Sequence, residues 1–411
     1  CLGVRVDQRA CGRPDRLSRN LGRGFKDVAV FEAGLVTQEL SQAAALASQP
    51  YGELLRSTKP RLSIGRYVPV GVVGVISPFN FPGILSMRSV APALAVGNAV
   101  VLKPDPRTSI SGGLALAEIL AEAGLPEGLL HVLPGGADVG SALVAHEDVP
   151  CISFTGSTPA GRKIGEAAGP LLKKVHLELG GNNAVLVLPD ADLDAAASAG
   201  AWGSFLHQGQ ICMTTGRHLV PRDRVEEYAA KLAEKAKNIS VGDPSDPANA
   251  LGPIIDEGQR DRIHGLVEAT VEAGATLVEG GTYEELFYRP TVLTDVPLDA
   301  PGFAQEIFGP VAPVVGYDTV DEAIDIINSS EFGLSTSILT SNAFGAFELA
   351  SRLHSGAIHI NDQTVDDEAV APFGGAKASG AGGRFGTSVN LDTFCEVQWV
   401  TMQENIAQYP F

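Results

Sequence analysis

The sequence predicts an α/β protein made of two units, each a mostly parallel sheet flanked by helices, and three observations carry that expectation. Short β-branched runs alternate with Ala-rich helical stretches along most of the 411 residues, the rhythm of βαβ units. The hydrophobic content of 45% suffices for a large core and for two or three domains. The Gly180-Gly181 pair separates two such stretches without any low-complexity linker, which marks it as the hinge.

Element by element, residues 1–33 break the rhythm. They are rich in Arg and Gly, with little apolar periodicity and no helix start, and read as an atypical N-terminal segment: a basic arm, or the altered start of a longer chain. Residues 70–77 read as a strand, 99–102 as a second, 111–123 as a helix closed by Gly124, and 129–133 as a strand. A helix over 137–145 and a strand over 151–154 complete the first unit. After Gly181 come a strand over 185–188, helices over 224–237 and 259–273, a strand over 276–278 and a helix over 320–328. Ligands of such folds bind outside the carboxyl ends of the strands.

Composition excludes several functions. Lys and Arg total 30 against 48 Asp and Glu, a net charge of −18, so nucleic acid is not expected as a partner. No stretch of about 20 apolar residues is free of charge or helix breakers, so no membrane association and a cytoplasmic location are expected. The five cysteines are scattered, with no C-x-x-C pair, which argues against a disulfide framework and against a metal site. One of them is free to be reactive.

Chemistry gathers at a few segments. In Gly209-Gln210-Ile211-Cys212 a thiolate would be a strong nucleophile toward a carbonyl carbon, approached through glycine; alone, a cysteine among apolar neighbours is as well read as a small buried hydrophobe. Glu178-Leu179-Gly180-Gly181 sets a carboxylate at a strand end before two glycines, placed to deprotonate a thiol or a water. Its plainer reading is a surface carboxylate. In Ser77-Pro78-Phe79-Asn80-Phe81-Pro82 the amide of Asn80 is placed to hold an oxyanion on a loop stiffened by prolines, though the same residues suit an ordinary turn. Lys103-Pro104 and Phe154-Thr155-Gly156-Ser157-Thr158 follow strands where a dinucleotide would bind, with Gly156-Ser157 opening a helix whose free N–H groups would receive a pyrophosphate. No G-x-G-x-x-G stands at either point.

Taken together, these motifs resemble the aldehyde dehydrogenase superfamily, from about residue 34 to 411, with Glu306-Ile307-Phe308-Gly309-Pro310 and Pro372-Phe373-Gly374-Gly375 similar to two further family segments. The resemblance implies a Rossmann-like cofactor domain (34–49 and 69–180), an α/β catalytic domain (181–392), and a small oligomerisation hairpin with a C-terminal strand (50–68 and 393–411). It implies Cys212 as nucleophile, Asn80 as oxyanion donor and Glu178 as base; members that pass the acyl group to coenzyme A lack that Glu, so water is the expected acceptor. Ser77, Pro78, Phe79, Lys103, Gly156, Ser157, Gly180, Glu306 and Phe308 are implied to hold the cofactor, and Phe81, Arg88, Phe205 and Phe373 to line the substrate pocket.

Where this chain departs from the family, Pro106 replaces the Glu that usually meets the adenosine ribose, so NAD is expected with only weak discrimination against NADP. Phe79 replaces a Trp, His207 an Asn, and Asn182 a Lys; His207 reads as a structural neighbour. Aromatic walls, together with 210–217 and 361–365, are similar to the benzaldehyde and vanillin dehydrogenase branch, so an aromatic aldehyde is the expected substrate. Arg88 is placed to meet a ring hydroxyl or carboxylate, or to form a salt bridge on a helix surface. The strand over 397–406 has nothing left in the chain to return to, and joining a second subunit beside a hairpin over 62–68 implies a homodimer or homotetramer. The short N-terminus leaves a truncated, inactive or structural member as the alternative.

Overall fold

A computed structural model describes residues 26–246 and 248–411. Two sheets dominate. The first has six strands in the order Gly380–Ala381, Lys174–Glu178, Cys151–Thr155, Val72–Ile76, Ala99–Lys103, Leu130–Val132. Its neighbours are parallel except for the first, which runs antiparallel with Gly380 opposite Glu178. The second has seven, in the order Thr276–Glu279, Thr291–Thr294, Val311–Tyr317, Thr215–Pro221, Asn183–Val187, Ser335–Leu339, Ala357–Ile360, and is parallel apart from the Thr276–Glu279 edge.

Parallel strands covered on both faces need continuous apolar runs, and Val72–Ile76 and Asn183–Val187 supply them; the latter is buried throughout. The chain passes between the sheets at Gly180-Gly181-Asn182 and comes back through Gly380–Ala381. In the first sheet the strand order reverses between Val72–Ile76 and Cys151–Thr155. That switch point opens a crevice at the carboxyl ends of both strands.

Helices expected over 137–145, 224–237, 259–273 and 320–328 form as Ala137–Ala145, Val225–Asn238, Glu257–Glu272 and Val320–Ser329. The helix expected over 111–123 is split into a wide turn, Ile110–Leu114, and Ala115–Glu122. Three expectations need correction. Most of 1–33 lies outside the described residues, but a helix spans Lys26–Leu46 and so crosses the expected boundary at 33. It packs along the helix Pro82–Ala95, and this burial replaces the missing sequence signal; Val36, Ala43 and Leu46 are buried. The C-terminal strand is Cys395–Met402 and does have a partner within its own chain, Leu62–Pro69, in unbroken antiparallel register from Leu62 opposite Met402 to Pro69 opposite Cys395. Gly52–Leu54 completes that three-stranded sheet on its other side. Finally, the strand over 185–188 begins earlier, at Asn183.

Among the described residues no helix is long and apolar enough to cross a membrane. None of their His, Cys, Asp and Glu side chains form a group of three or more able to hold a metal ion. Cys151, Cys212 and Cys395 are free thiols.

Candidate active site

The crevice at the switch point is a cavity of about 520 Å³, and the loops after four strands of the first sheet build its walls. The loop after Val72–Ile76 brings Ser77, Pro78, Phe79 and Asn80. Ala99–Lys103 ends on Lys103, Cys151–Thr155 leads to Gly156 and Ser157, and Lys174–Glu178 leads to Gly180. Glu306 and Phe308 close it from the second unit. All nine residues expected to hold a cofactor thus face one cleft of a size suited to a ligand.

Its details follow from local chemistry. Phe79 meets the Phe308 ring edge-on at 6.0 Å, and Arg107 lies over Phe79 at 4.3 Å. Lys103 is buried, and burial lowers its pKa. A Cβ on Gly180 would overlap the Glu306 carboxylate, and the Gly181 N–H donates to Glu306 Oε1 at 3.0 Å. Burial pushes the pKa of Glu306 up to about 7 against that bond.

One expectation about this cleft is corrected. The Gly156 N–H is not free for a phosphate, because it donates to the Glu178 carbonyl at 3.0 Å across the parallel pair. The unpartnered donors belong to the following turn of the helix Thr158–Ala168, whose cap residue Ser157 gives no side-chain bond. Although Pro106 removes the family carboxylate, Asp105 one residue earlier also lines the cleft, held in an ion pair with Arg107 at 2.8 Å.

A second cavity, about 430 Å³, is lined by Phe81, Arg88 and Phe373 as expected, by Met213 and Val365 of the segments 210–217 and 361–365, and by Phe31, Leu35, Trp202 and Leu206, which the sequence did not single out. Phe205 does not line it. The helix Leu193–Phe205 turns Phe205 into the core under the second sheet, where it is fully buried with Tyr228 and Val220, and presents Trp202 to the cavity instead.

Arg88 is not on a surface. Its Nε donates to Glu39 at 3.2 Å, Nη2 pairs with Asp367, and the guanidinium lies over the Phe373 ring at 4.8 Å. Nη1 has no hydrogen-bond partner among the described residues.

The two cavities meet at Asn80, Leu85 and Cys212. The thiol loop is pinned there: Asn183 Nδ2 donates to the carbonyls of Cys212 and Thr214, both at 2.8 Å, and Gly209 adopts φ +65° against Gly309, where a Cβ would overlap backbone. Burial first, and then the Glu306 charge, pushes the Cys212 thiol up to about 12, with Arg88 opposing.

Glu178 ends its strand buried and lines neither cavity. Its Oε2 accepts the Gly375 N–H at 3.2 Å and its Oε1 lies 3.3 Å from His176 Nε2. Gly374 makes room for it, since a Cβ there would press on both Glu178 and Arg384.

His207 sits in left-handed backbone (φ 52°) beside the Phe81 ring, 4.6 Å away. Burial lowers its pKa to about 4, so the ring is neutral, and its Nε2–H donates to the Asn80 carbonyl at 2.9 Å. Asn182 faces away from the cleft and donates to the Phe303 carbonyl at 2.7 Å.

The profile of the aldehyde dehydrogenase family matches residues 15–400 of the chain. Over 405 residues the chain is 58% identical to a vanillin dehydrogenase of an Amycolatopsis species, covering 98% of this chain and 83% of that one. It is 54% identical over 383 residues to an NAD(+) benzaldehyde dehydrogenase of Pseudomonas putida, covering 93% and 79%. The structure of an aldehyde dehydrogenase from Bacillus cereus in complex with NAD+ superposes with a TM-score of 0.94 at 33% identity, over 98% of this chain and 83% of that one.

Proposed function

The chain belongs to the aldehyde dehydrogenase family, and from that premise we propose that it oxidises an aromatic aldehyde to the carboxylic acid, with Cys212 as nucleophile and water as the final acyl acceptor. It is an NAD-dependent dehydrogenase. The observation that carries the reading is the junction of two cavities at Cys212, one suited to a dinucleotide and one walled by Phe81, Trp202 and Phe373. Flat apolar walls of this kind favour a ring substrate.

The cofactor fits the first cavity: Lys103 is a buried donor at a strand end suited to ribose hydroxyls, and the space left by Gly180 admits Glu306 beside it. When bound, NAD supplies the hydride acceptor. The residues do the rest. Cys212, once deprotonated, attacks the aldehyde carbon, and the oxyanion of the thiohemiacetal is held by the Asn80 amide and the Cys212 N–H. After oxidation the enzyme holds an acyl thioester. Glu178 takes a proton from a water, the hydroxide attacks the acyl carbon, and the C–S bond breaks to release the acid and the thiolate.

Glu178 is bonded to Gly375 and His176 and must turn toward Cys212 to act, which suits a base of the second half of the cycle. Glu178→Gln should therefore give a burst of NADH near one equivalent, followed by steady-state turnover at least about a hundredfold slower. Unchanged turnover would remove Glu178 from this role.

Substrate and cofactor choice are tested together by specificity constants for benzaldehyde, vanillin and hexanal with NAD and NADP. The aromatic aldehydes should lead hexanal by tenfold or more. NAD should lead NADP by well under about a thousandfold, roughly 4 kcal/mol, since Asp105 is paired with Arg107. A hexanal lead, or a larger cofactor preference, would overturn the respective half. A homodimer or homotetramer, located in the cytoplasm, completes the proposal.

A further inference from the structure

The helix Pro82–Ala95 begins two residues after Asn80, and its Ile84, Leu85 and Arg88 form a wall of the aldehyde cavity. An α-helix leaves its first N–H groups without partners inside the helix. Pro82 has none to place, and the cap residue Phe81 makes no side-chain bond. The Leu85 N–H reaches the Phe81 carbonyl at 3.0 Å. The two that remain, Gly83 and Ile84, both donate to a single oxygen, Oε1 of Glu32, at 2.7 and 3.2 Å.

Glu32 comes from the helix Lys26–Leu46 and is only 3% exposed. A buried carboxylate is costly unless hydrogen-bonded, and the N-terminus of a helix is where backbone dipoles favour negative charge. Burial drives its pKa to about 7, opposed by the same two N–H donors. Further along the same two helices Glu39 holds Arg88, so carboxylates of one helix grip the other at two places. From the opposite side His207 holds the Asn80 carbonyl. Asn80 thus lies between two fixed points.

We propose that Glu32 is a positioning residue for the oxyanion step: by capping the first turn of Pro82–Ala95 from outside, it fixes where the Asn80 amide sits relative to Cys212. The inference rests on the reading of Asn80 as oxyanion donor given above. Such a donor acts only within a narrow distance of the developing charge, and a displacement of about 1 Å can cost about a hundredfold in rate. Most of the groups around the cofactor cleft, Lys103, Gly156, Ser157, Gly180, Glu306 and Phe308, stand on other elements, so the effect of Glu32 should fall mainly on the step that generates and oxidises the thiohemiacetal.

The test is single-turnover NADH formation with saturating NAD and benzaldehyde, measured for Glu32→Ala, Glu32→Asp and Glu32→Gln in both the native and Asn80→Ala backgrounds. Glu32→Ala, and Glu32→Asp with a carboxylate one methylene too short, should each slow the burst by about tenfold or more. Glu32→Gln, which keeps an oxygen at the same reach, should stay within about threefold. In the Asn80→Ala background Glu32→Ala should cost less than about twofold, since the group it positions is gone. The dissociation constant for NAD should not move.

Equal losses in both backgrounds, or a native burst rate in Glu32→Ala, would overturn the proposal; if Glu32→Ala does not fold, Glu32→Asp decides in its place. A native burst rate in Asn80→Ala alone would instead overturn the underlying reading of Asn80.

Discussion

At the scale of single residues, Cys212 must be both accessible and a thiolate, and its surroundings oppose the second. Burial pushes the thiol from an ordinary 9.0 to about 12, the Glu306 carboxylate adds to the rise, and the Arg88 guanidinium works against it. A raised thiol pKa means that the reactive form grows as pH increases, so alkylation of the ligand-free enzyme by iodoacetamide should still be accelerating above about pH 9.5. Glu306 carries its charge only above its own pKa of about 7, and Glu306→Gln removes it at all pH. That variant should show an alkylation midpoint shifted to lower pH. An ordinary midpoint in the native chain, or one unmoved by Glu306→Gln, would refute this account.

The segments that carry Cys212, Glu178, Asn80 and Glu306 could be picked out of the sequence because the family resemblance lies in short motifs, each contiguous in the chain. Glu32 was not, because its role depends on a helix some fifty residues further on. Neither was the engagement of the Gly156 N–H, which is set by pairing with the next strand.

At the scale of elements, legibility followed periodicity. The helices Val225–Asn238 and Val320–Ser329 were read to within one residue at each end, since each has one apolar and one polar face, and Ala137–Ala145, an Ala-rich run between two strands, was read to the residue. The helix Pro82–Ala95 is buried from Pro82 to Ala93 and shows no amphipathic stripe, so no period announces it. The helix Leu193–Phe205 was missed for a similar reason, its Ala and Gly residues giving little contrast between faces, and with it went the choice between Phe205 and Trp202. The strand Cys395–Met402 was recognised as a strand and the hairpin over 62–68 was named beside it, but their pairing within one chain was not expected, because Leu62–Pro69 lies more than 300 residues away and register across such a gap is a tertiary outcome. What local pattern cannot hold is order: the switch point that places the cleft exists only once the strands Val72–Ile76 and Cys151–Thr155 are neighbours.

At the scale of the whole molecule, the three-stranded sheet bears on assembly. Its strand order puts Cys395–Met402 at one edge, bonded to Leu62–Pro69 on one side only among the described residues. An eight-residue edge is a template for another strand unless something blocks it. Val397, Trp399 and Met402 are all more than half exposed on that strand. Trp399 is oriented from within, by its Nε1–H to Ser63 Oγ at 2.9 Å and by Arg61 stacked at 5.1 Å, so the exposed surface is ordered before any partner arrives. Two copies joined here would bring together chains that each carry −18, and the repulsion between them is screened by salt over about 8 Å at physiological ionic strength. Light scattering should accordingly find a dimer or larger species whose dissociation constant falls as salt rises from about 10 to 150 mM. The double substitution Val397→Glu with Met402→Glu adds charge along the edge without touching either cavity, and should weaken association by at least about a hundredfold while leaving the initial NADH burst intact. A native chain that stays monomeric at tens of micromolar in 150 mM salt, or a double variant that assembles as the native chain does, would show that this edge is not where copies meet.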